Sequence, residues 1–500
     1  MKRTLPLWVA VLPVAALLSG VIAALAIKGS DFVADYSYAL LLVAAAISLI
    51  AGIASGGFHP RALIEGLHTS ARQTVPAVPI LMLIGTVAAT WMLSGVVPMM
   101  IETGLHHIHP PMFLLTACCV CAFISILTGS SWTTIATIGV AFMGIGTLLG
   151  FSPGWIAGAI ISGAYFGDKI SPLSDTTVLA STSSGVPLFT HIRYMLITTI
   201  PSLAIALIIF AIAGYVSPLT AAGTRSAMTA ALEGAFNLNP WIFAIPVITV
   251  VLIALRVNTL LTLGASTLLG LAGIFVFQPH IAASIGGSGL YGGVRTAIQV
   301  LLTDTTLATG DTALDTLVAT GGMKGMLPTV LLIMSAMVFG GAMMGTGMLS
   351  RITEAFTSLI RNRVGAVGAT AASGLFLNSA TADQYLSIII GANMYRSLYR
   401  RLGLEGRLLS RTLEDSVSVT SVLIPWNSCG VTQSSVLGVP TLTYLPYCVF
   451  NYLSPLMSVL IAVSGFRIVQ LAGRHTDSDE TEAESPLASD TQSDTTPVTL

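Results

Sequence analysis

Apolar runs long enough to cross a bilayer recur along this chain of 500 residues. A transmembrane helix needs about 20 consecutive apolar residues, and runs such as "LPLWVAVLPVAALLSGVIAALAI" and "TYLPYCVFNYLSPLMSVLIAVSGF" supply that length. Only 9% of the residues are charged, against about 25% in ordinary soluble domains. The pattern predicts an all-α polytopic membrane protein with about 11–13 transmembrane helices.

Four short polar stretches interrupt the apolar pattern, two in each half of the chain. They are "TGSSWTT" (128–134), "FGDKISPLSDTT" (166–177), "LNSATADQY" (377–385) and "LEDSVSVTSVLIPWNSCG" (413–430). An aspartate at the bilayer centre costs about 2.5–3.5 kcal/mol or more, which packing alone does not explain. Irregular backbone is tolerated at membrane depth only where it is buried in protein or lines a cavity. The four stretches therefore predict discontinuous helices around a functional site.

The distribution of arginine indicates that the two halves have opposite orientations. The loop "LGFSPG" (149–154) has no basic residue, whereas its counterpart at 396–411 has five arginines. Cytoplasmic loops carry an excess of Lys and Arg, so these two loops are expected on opposite sides of the membrane. The chain is predicted to form two inverted-topology repeats, which in secondary transporters enclose the binding site. Lys2 and Arg3 place the N-terminus in the cytoplasm by the same rule.

Five segments follow from these patterns. We predict N-terminal transmembrane helices at 1–75, a first transporter half at 76–278, a polar connector at 279–325, a second transporter half at 326–466, and a disordered acidic cytoplasmic tail at 467–500. The connector is rich in Gly, Thr and Asp and leaves room for an interfacial helix. Its residues Asp304, Asp311 and Asp315 are expected to face water.

Oxygen-bearing side chains at the interruptions form the predicted site. Hard cations prefer carboxylate, hydroxyl and carbonyl oxygens, and a broken helix exposes carbonyl groups and helix ends at membrane depth. The predicted ion- or substrate-binding residues are Asp168, Asp175, Asp383, Asp415, Ser130, Ser171, Ser174, Thr176, Thr177, Thr381 and Asn427. Further hydroxyl groups come from Ser131, Thr133 and Ser379. Asp383 suits the N-cap of a helix equally well.

Other residues at the interruptions have predicted structural roles. Pro172 and Pro425 remove a backbone donor and so break their helices, and Gly167 is assigned to the first of these breaks. Lys169 is expected to compensate the charge of Asp168 or Asp175 when the site is empty, or else to extend its ammonium group to the interface. The cysteines and the "HHIH" loop match no zinc pattern, so we expect no cofactor and no metal other than a transported ion.

The blocks "GSSWTT", "GAYFGDKISPLSDTTVLAST", "LSRTLEDSVSVTSVLIPWNSCG" and "LGVPTLTYLPYCVFNYLSP" resemble the NhaC family of sodium/proton antiporters, within the wider ion-transporter superfamily. The resemblance spans most of residues 75–465. It implies a multi-pass plasma (inner) membrane protein that moves intracellular Na⁺ out against external H⁺. The residues that match the blocks of the family are Asp168, Ser171, Pro172, Ser174, Asp175, Thr176, Thr177, Asp415, Trp426 and Asn427.

The expected mechanism is competition between Na⁺ and H⁺ at one site formed by Asp168 and Asp415, with alternating access to the two sides of the membrane. The main alternative is a Na⁺- or H⁺-coupled exchanger of organic acids or amino acids, of the malate/lactate type, which has similar polar blocks. A basic residue in the cavity, such as Lys169 or Arg193, would favour that alternative. The partners implied are the lipid bilayer and the two ions, without nucleic acid, and a homodimer is left open.

An enzyme is the remote alternative, because two membrane aspartates can form the catalytic dyad of an intramembrane aspartyl protease. Such a protease needs a YD element and a GxGD element. The stretch "YFGD" lacks the first glycine, and no YD dipeptide occurs in the chain. The sequence is therefore predicted not to be an enzyme.

Overall fold

The computed structural model describes residues 5–56, 60–217, 222–307, 314–315, 318–358 and 360–468. Within those ranges the fold is helical, and the only β pairing is an isolated bridge between Thr305 and Thr320. The predicted acidic tail lies outside the described residues from position 469 onward, as does Asp311 of the connector.

The helices fall into four consecutive groups. The first contains α1 (Leu7–Lys28), α2 (Ser30–Ala54), α3 (Pro60–Thr74), α4 (Ala77–Leu93) and α5 (Val96–His107). The second contains α6 (Phe113–Thr128), α7 (Ser131–Leu148), α8 (Pro153–Ile170), α9 (Asp175–Ser183) and α10 (Leu188–Val216). The third contains α11 (Ala222–Ala235), α12 (Ala244–Ala254), α13 (Thr259–Phe277), α14 (Pro279–Gly286) and α15 (Gly289–Leu302). The fourth contains α16 (Leu327–Gly345), α17 (Met348–Ser358), α18 (Arg363–Thr381), α19 (Gln384–Arg401), α20 (Gly406–Leu413), α21 (Ser428–Leu437), α22 (Thr441–Tyr444) and α23 (Val449–Ser464).

Many of these helices are long and apolar enough to cross a membrane. In the described part of the chain eight segments meet that condition, or up to ten if each of two bent helix pairs is one crossing. The count is lower than the about 11–13 crossings that the apolar runs predict. Helices α8, α18 and α19 are not among the eight, and the polar interruptions lie at their ends. The chain is a multi-pass membrane protein whose broken helices are less apolar than its continuous ones.

Most helix bounds from the end of α6 to the start of α10 recur later in the chain at a constant separation. Helix α7 begins at 131 and α19 at 384, which is 253 positions further on, and their ends at 148 and 401 have the same separation. The left-handed turns recur in the same register: Gly150 (φ 91°) matches Gly403 (φ 67°), and Gly185 (φ 69°) matches Gly438 (φ 65°). The segments α6–α10 and α18–α23 therefore have the same order of helices and breaks, although α10 is one helix and its counterpart is bent between α22 and α23. The division into the two predicted halves and the inversion of one relative to the other stay predictions.

Hydrogen bonds between helices also recur in this register. The Ser125 hydroxyl donates to the Ala164 carbonyl oxygen at 2.6 Å, and the Asn378 side-chain amide donates to the Val417 carbonyl oxygen at 2.8 Å. The first bond joins α6 to α8, and the second joins α18 to the helical run that continues from α20. The register pairs Pro172 with Pro425 and Asp168 with Ser421, so Asp168 and Asp415, the two aspartates of the predicted site, do not occupy equivalent positions.

Glycines allow α6 and α8 to approach closely. A Cβ atom on Gly163 would lie 2.1 Å from the Cys118 carbonyl oxygen, and one on Gly167 would lie 2.3 Å from the Ala122 carbonyl oxygen. Small residues permit such backbone contacts between membrane helices. The prediction that Gly167 breaks its helix is wrong, because this residue lies inside α8 and its missing side chain makes room for α6.

The segment predicted as a polar connector is largely helical, since it contains α14 and α15. Asp304 follows α15 and forms an exposed ion pair with Lys324. Tyr291 on α15 exposes 84% of its surface and its neighbour Leu290 exposes 90%. The connector therefore presents apolar side chains outward as well as the expected aspartate.

Candidate functional site

The first repeat is broken at residues 171–174, between α8 and α9. Pro172 has no N–H group to continue the hydrogen-bond ladder of α8. Ser174 then starts α9 as its N-cap, and its hydroxyl accepts a hydrogen bond from the Thr177 N–H at 3.4 Å. The predicted discontinuity at 166–177 is therefore a helix break with Ser171 and Ser174 as its two cap residues.

A second break, between α6 and α7, lies against the first. Gly129 adopts the left-handed conformation (φ 65°) and Ser130 caps α7 by accepting from the Thr133 N–H at 3.2 Å. A Cβ atom on Gly129 would lie 2.6 Å from the Cβ atom of Leu173. Only a residue without a side chain fits here, so Gly129 brings the two breaks into contact.

The two breaks open into a cavity of about 630 Å³. Its wall is completed by the start of α4, the turn between α12 and α13, and the start of α19. The polar lining residues are Thr128, Ser130, Ser131, Thr133, Asp168, Ser174, Asp175, Thr176, Arg256, Thr259, Thr262, Gln384 and Tyr385. The structure therefore gathers six of the predicted binding or hydroxyl residues of the first repeat with Asp168 on one surface.

Asp168 is the half-buried carboxylate of this cavity. Its Oδ2 atom accepts hydrogen bonds from the hydroxyl of Ser131 at 2.7 Å and from the Ser131 N–H at 3.2 Å. Asp175 lines the same cavity at the start of α9 but is exposed. Asp168 thus combines access from the cavity with fixed hydroxyl neighbours, whereas the charge of Asp175 is screened by water.

Asp415 lies apart from that cavity in a buried ion pair. Its Oδ1 atom pairs with the ammonium group of Lys169 and accepts hydrogen bonds from the hydroxyls of Thr198 (3.1 Å) and Ser454 (3.0 Å). Lys169 and Asp415 expose only 1% and 0% of their side chains. The structure therefore does not bring Asp415 and Asp168 together as joint cavity-lining ligands. It pairs Lys169 with Asp415 rather than with Asp168 or Asp175, and it keeps the ammonium group away from the interface.

Arg411 is also buried beside this pair, although the sequence predicted it in a cytoplasmic loop. Its Nε atom lies 3.8 Å from Asp415 Oδ2, and its guanidinium group lies over the ring of Tyr194 at 4.6 Å. The helix accounts for the difference, because it continues from α20 into a π-helical turn at Glu414–Ser418 and brings Arg411 beside Asp415, four residues further on. The loop prediction for Arg411 is wrong.

In the second repeat, the corresponding polar residues cap helices. Asp383 is the N-cap of α19 and its Oδ1 atom accepts from the Leu386 N–H at 2.8 Å. Thr381 contacts the Ser387 hydroxyl at 2.8 Å, and Asn427 caps α21 by accepting from the Cys429 N–H at 3.0 Å. These three residues do not line the 630 Å³ cavity. The N-cap interpretation of Asp383 matches its geometry.

The remaining predicted residues hold the breaks in place. Ser171 donates its hydroxyl to the Ile126 carbonyl oxygen at 2.8 Å, and Thr177 donates to the Lys169 carbonyl oxygen at 2.9 Å. Pro425 lies in the break between α20 and α21, where the indole N–H of the adjacent Trp426 donates to the Ser379 carbonyl oxygen at 2.8 Å. These contacts satisfy carbonyl groups that the broken helices leave without partners.

Glu414 was not selected from the sequence, although it stands beside Asp415 in the same polar stretch. It is completely buried, and its Oε1 atom accepts a hydrogen bond from the Thr176 hydroxyl at 3.1 Å. Two adjacent acids within an otherwise apolar and hydroxyl-rich segment were the signal that could have identified it.

A membrane bundle whose broken helices enclose a polar cavity is the architecture of a secondary transporter. The sequence profile of the Na⁺/H⁺ antiporter family matches this chain at residues 4–184 and 163–466. The chain therefore belongs to the Na⁺/H⁺ antiporter family.

Individual relatives match along most of their length. The Na⁺/H⁺ antiporter NhaC of Alkalihalophilus pseudofirmus is 36% identical over 81% of this chain and 85% of that protein. The arginine/ornithine antiporter ArcD of Halobacterium salinarum is 35% identical over 81% of this chain and 82% of its own. The malate-2H⁺/Na⁺-lactate antiporter of Bacillus subtilis is 31% identical over 85% of this chain and 88% of its own. Relatives of similar identity thus carry names with different substrates.

Proposed function

We propose that this protein is a Na⁺/H⁺ antiporter that exchanges intracellular Na⁺ for external H⁺ by alternating access. The observation that carries the proposal is Asp168, a carboxylate at the junction of two helix breaks that is reached from a cavity and surrounded by hydroxyl groups. Carboxylate and hydroxyl oxygens suit a hard cation. The similarity to NhaC antiporters supports Na⁺ as that cation.

In this mechanism Na⁺ and H⁺ compete for Asp168. The ionised carboxylate binds Na⁺ together with the hydroxyls of Ser131 and Ser174, which face the same cavity. A proton that reaches Asp168 neutralises the carboxylate and removes its attraction for Na⁺. Partial burial favours the neutral form of a carboxyl group, so protonation competes effectively with the ion. Asp415 takes no part in binding from this cavity, because its charge is matched by Lys169.

The membrane orientation belongs to the same proposal. Arg396, Arg400, Arg401 and Arg407 support a cytoplasmic position for the turn between α19 and α20, and Lys2 and Arg3 support the same side for the N-terminus. The two halves at 76–278 and 326–466 would then be inverted in the plasma (inner) membrane. Rocking of one half against the other would open the site to either side.

Replacement of Asp168 with Asn tests the proposal. Contacts to charged groups contribute about 1.5–3 kcal/mol, so we expect at least about a tenfold loss of Na⁺-driven dissipation of a pH gradient in everted vesicles. The matched control is Asp304→Asn, which makes the same change at an exposed aspartate of the connector and should leave exchange unchanged. Normal exchange by a fully inserted Asp168→Asn variant would refute the site.

One observation favours a second candidate function, the exchange of organic acids or amino acids. Arg256 lines the cavity, and a volume of about 630 Å³ is far larger than a single sodium ion requires. Lys169 and Arg193, the basic residues predicted for this role, do not line it. This candidate would replace the first if malate, lactate or arginine drives flux and Na⁺ alone does not. The flux should then be lost in Arg256→Gln.

A further inference from the structure

We propose that Glu414, together with the hydroxyls of Ser418 and Thr176, forms an inner subsite for the transported monovalent cation. The inference rests on the proposed function and names the second carboxylate that the cation meets after Asp168. Glu414 belongs to the second repeat and Asp168 to the first. A cation held by Glu414 and by Thr176, which belongs to the first repeat, therefore contacts both halves of the transporter.

One oxygen of the Glu414 carboxyl group lacks a protein partner of ordinary hydrogen-bond length. Glu414 exposes 0% of its surface, its Oε1 atom accepts from the Thr176 hydroxyl, and its Oε2 atom has no such partner among the described residues. Ser418 exposes 3%, and its hydroxyl lies close enough to the Glu414 carboxyl group to interact with it. Buried polar atoms are nearly always satisfied by protein, water or a bound ion. A carboxylate oxygen left open beside a hydroxyl matches the ligands that hard cations prefer.

The backbone at this point departs from its counterpart in the first repeat. Residues Glu414–Ser418 form a π-helical turn, whereas the equivalent positions 161–165 lie in ordinary α-helix. Ile161 stands where the second repeat has Glu414. Single π-helical turns inside α-helices occur frequently at functional sites. Neither the acid nor the widened turn is required by the repeated fold, and this points to a function specific to the second repeat.

Hydroxyl groups connect the subsite with the cavity. Thr176 lines the cavity, contacts the Ser174 hydroxyl at 3.0 Å and donates to Glu414 Oε1 at 3.1 Å. Asp168 lies on the same cavity wall as Ser174. A cation that leaves Asp168 therefore has oxygen ligands along its way to Glu414.

The balance of buried charge fits one monovalent cation. Lys169, Arg411 and Asp415 together carry a formal charge of +1. Ionised Glu414 and Asp168 change the total for the five groups to −1. Uncompensated charge is costly in a membrane interior, and a single Na⁺ or H⁺ makes the set neutral. The ion pair with Asp415 also keeps the Lys169 ammonium group from occupying the cation's place.

Equilibrium binding of radioactive Na⁺ to the purified full chain in detergent tests the inference. We expect the apparent Kd for Na⁺ to rise about tenfold or more in Glu414→Gln and about threefold in Ser418→Ala, because each loses a ligand. Glu405→Gln is the matched control, since it makes the same change on a partly exposed residue that pairs with Arg407. Its Kd should equal that of the wild type.

The possible results separate this inference from the proposed function. A wild type that binds no Na⁺ overturns the proposed function itself. If the wild type binds Na⁺ and Glu414→Gln binds it with the same Kd, the inner subsite is overturned and the proposed function stands. The same conclusion holds if Glu414→Gln keeps the wild-type Kd but loses proton coupling. If Glu414→Gln is not recovered as a folded protein, Ser418→Ala decides, and an unchanged Kd in that variant overturns the subsite.

Discussion

At the scale of single residues, Lys169 and Asp415 form a buried ion pair. Lys169 lies on α8 and Asp415 lies 246 positions later in the chain, so the pair joins the two repeats. The sequence identified both residues as unusual, because charged groups at membrane depth carry a free-energy cost. It could not identify their partners, since a carboxylate that binds an ion and one that neutralises a lysine look alike in a sequence.

We expect Asp415→Asn to lower the stability of the folded protein, and not only to impair transport. The change leaves Lys169 and Arg411 buried without a counter-ion, and breaking a buried pair in this way costs about 3–5 kcal/mol. We expect a lower midpoint of thermal unfolding in detergent. Adding Lys169→Met to this variant should recover part of the loss. An Asp415→Asn variant with wild-type stability and weaker Na⁺ binding would show that Asp415 is a cation ligand after all.

At the scale of elements, the helix breaks were the part of the site that the sequence predicted best. Prolines at 172 and 425 and clusters of hydroxyl residues indicated where α8 and the helical run after α20 end. The sequence could not show that Asp168 aligns with Ser421 and not with Asp415, because few residues are identical between the repeats. The shared Pro172 and Pro425, and the turn glycines Gly185 and Gly438, establish the register only when the helix bounds are known.

The close contact of α6 with α8 gives a prediction at this scale. Gly163→Ala would place a methyl group 2.1 Å from the Cys118 carbonyl oxygen, and overpacking of this kind costs about 1–3 kcal/mol. The thermal midpoint should fall. Gly368→Ala is the matched control, because no atom lies within 4 Å of the added Cβ atom on α18. Equal stability of the two variants would mean that the helices separate easily to accept the methyl group.

At the scale of the whole molecule, the membrane bundle contains two similar sets of helices, α6–α10 and α18–α23, together with helices outside either set. Apolar runs and the rarity of charge predicted the membrane class, which follows from composition alone. The number of crossings was less predictable, since helices such as α8 and α18 end within polar stretches and do not meet the criteria of a continuous span. The arginine distribution adds the expectation that the second set is inverted.

Labelling of cysteines from one side of the membrane tests that inversion. Ser152 and Glu405 occupy equivalent positions in the turns before α8 and α20. In a background with Cys119→Ser, which removes the exposed native thiol, an impermeant maleimide applied to intact cells should label Ser152→Cys and not Glu405→Cys. Opening the cells should expose the second site. Labelling of both from the same side would contradict the inverted arrangement.

The 253-position register indicates how this chain arose. Helix bounds and turns that recur at one spacing are what a duplicated and fused ancestral unit leaves behind when later change proceeds mainly by substitution. Substitution has since divided the charges between the copies, with Lys169 in one and Glu414, Asp415 and Arg411 in the other. Two copies of the first half would lack the acid that pairs with Lys169, and two copies of the second would lack the lysine that pairs with Asp415. Each half therefore needs the other to neutralise its buried charge.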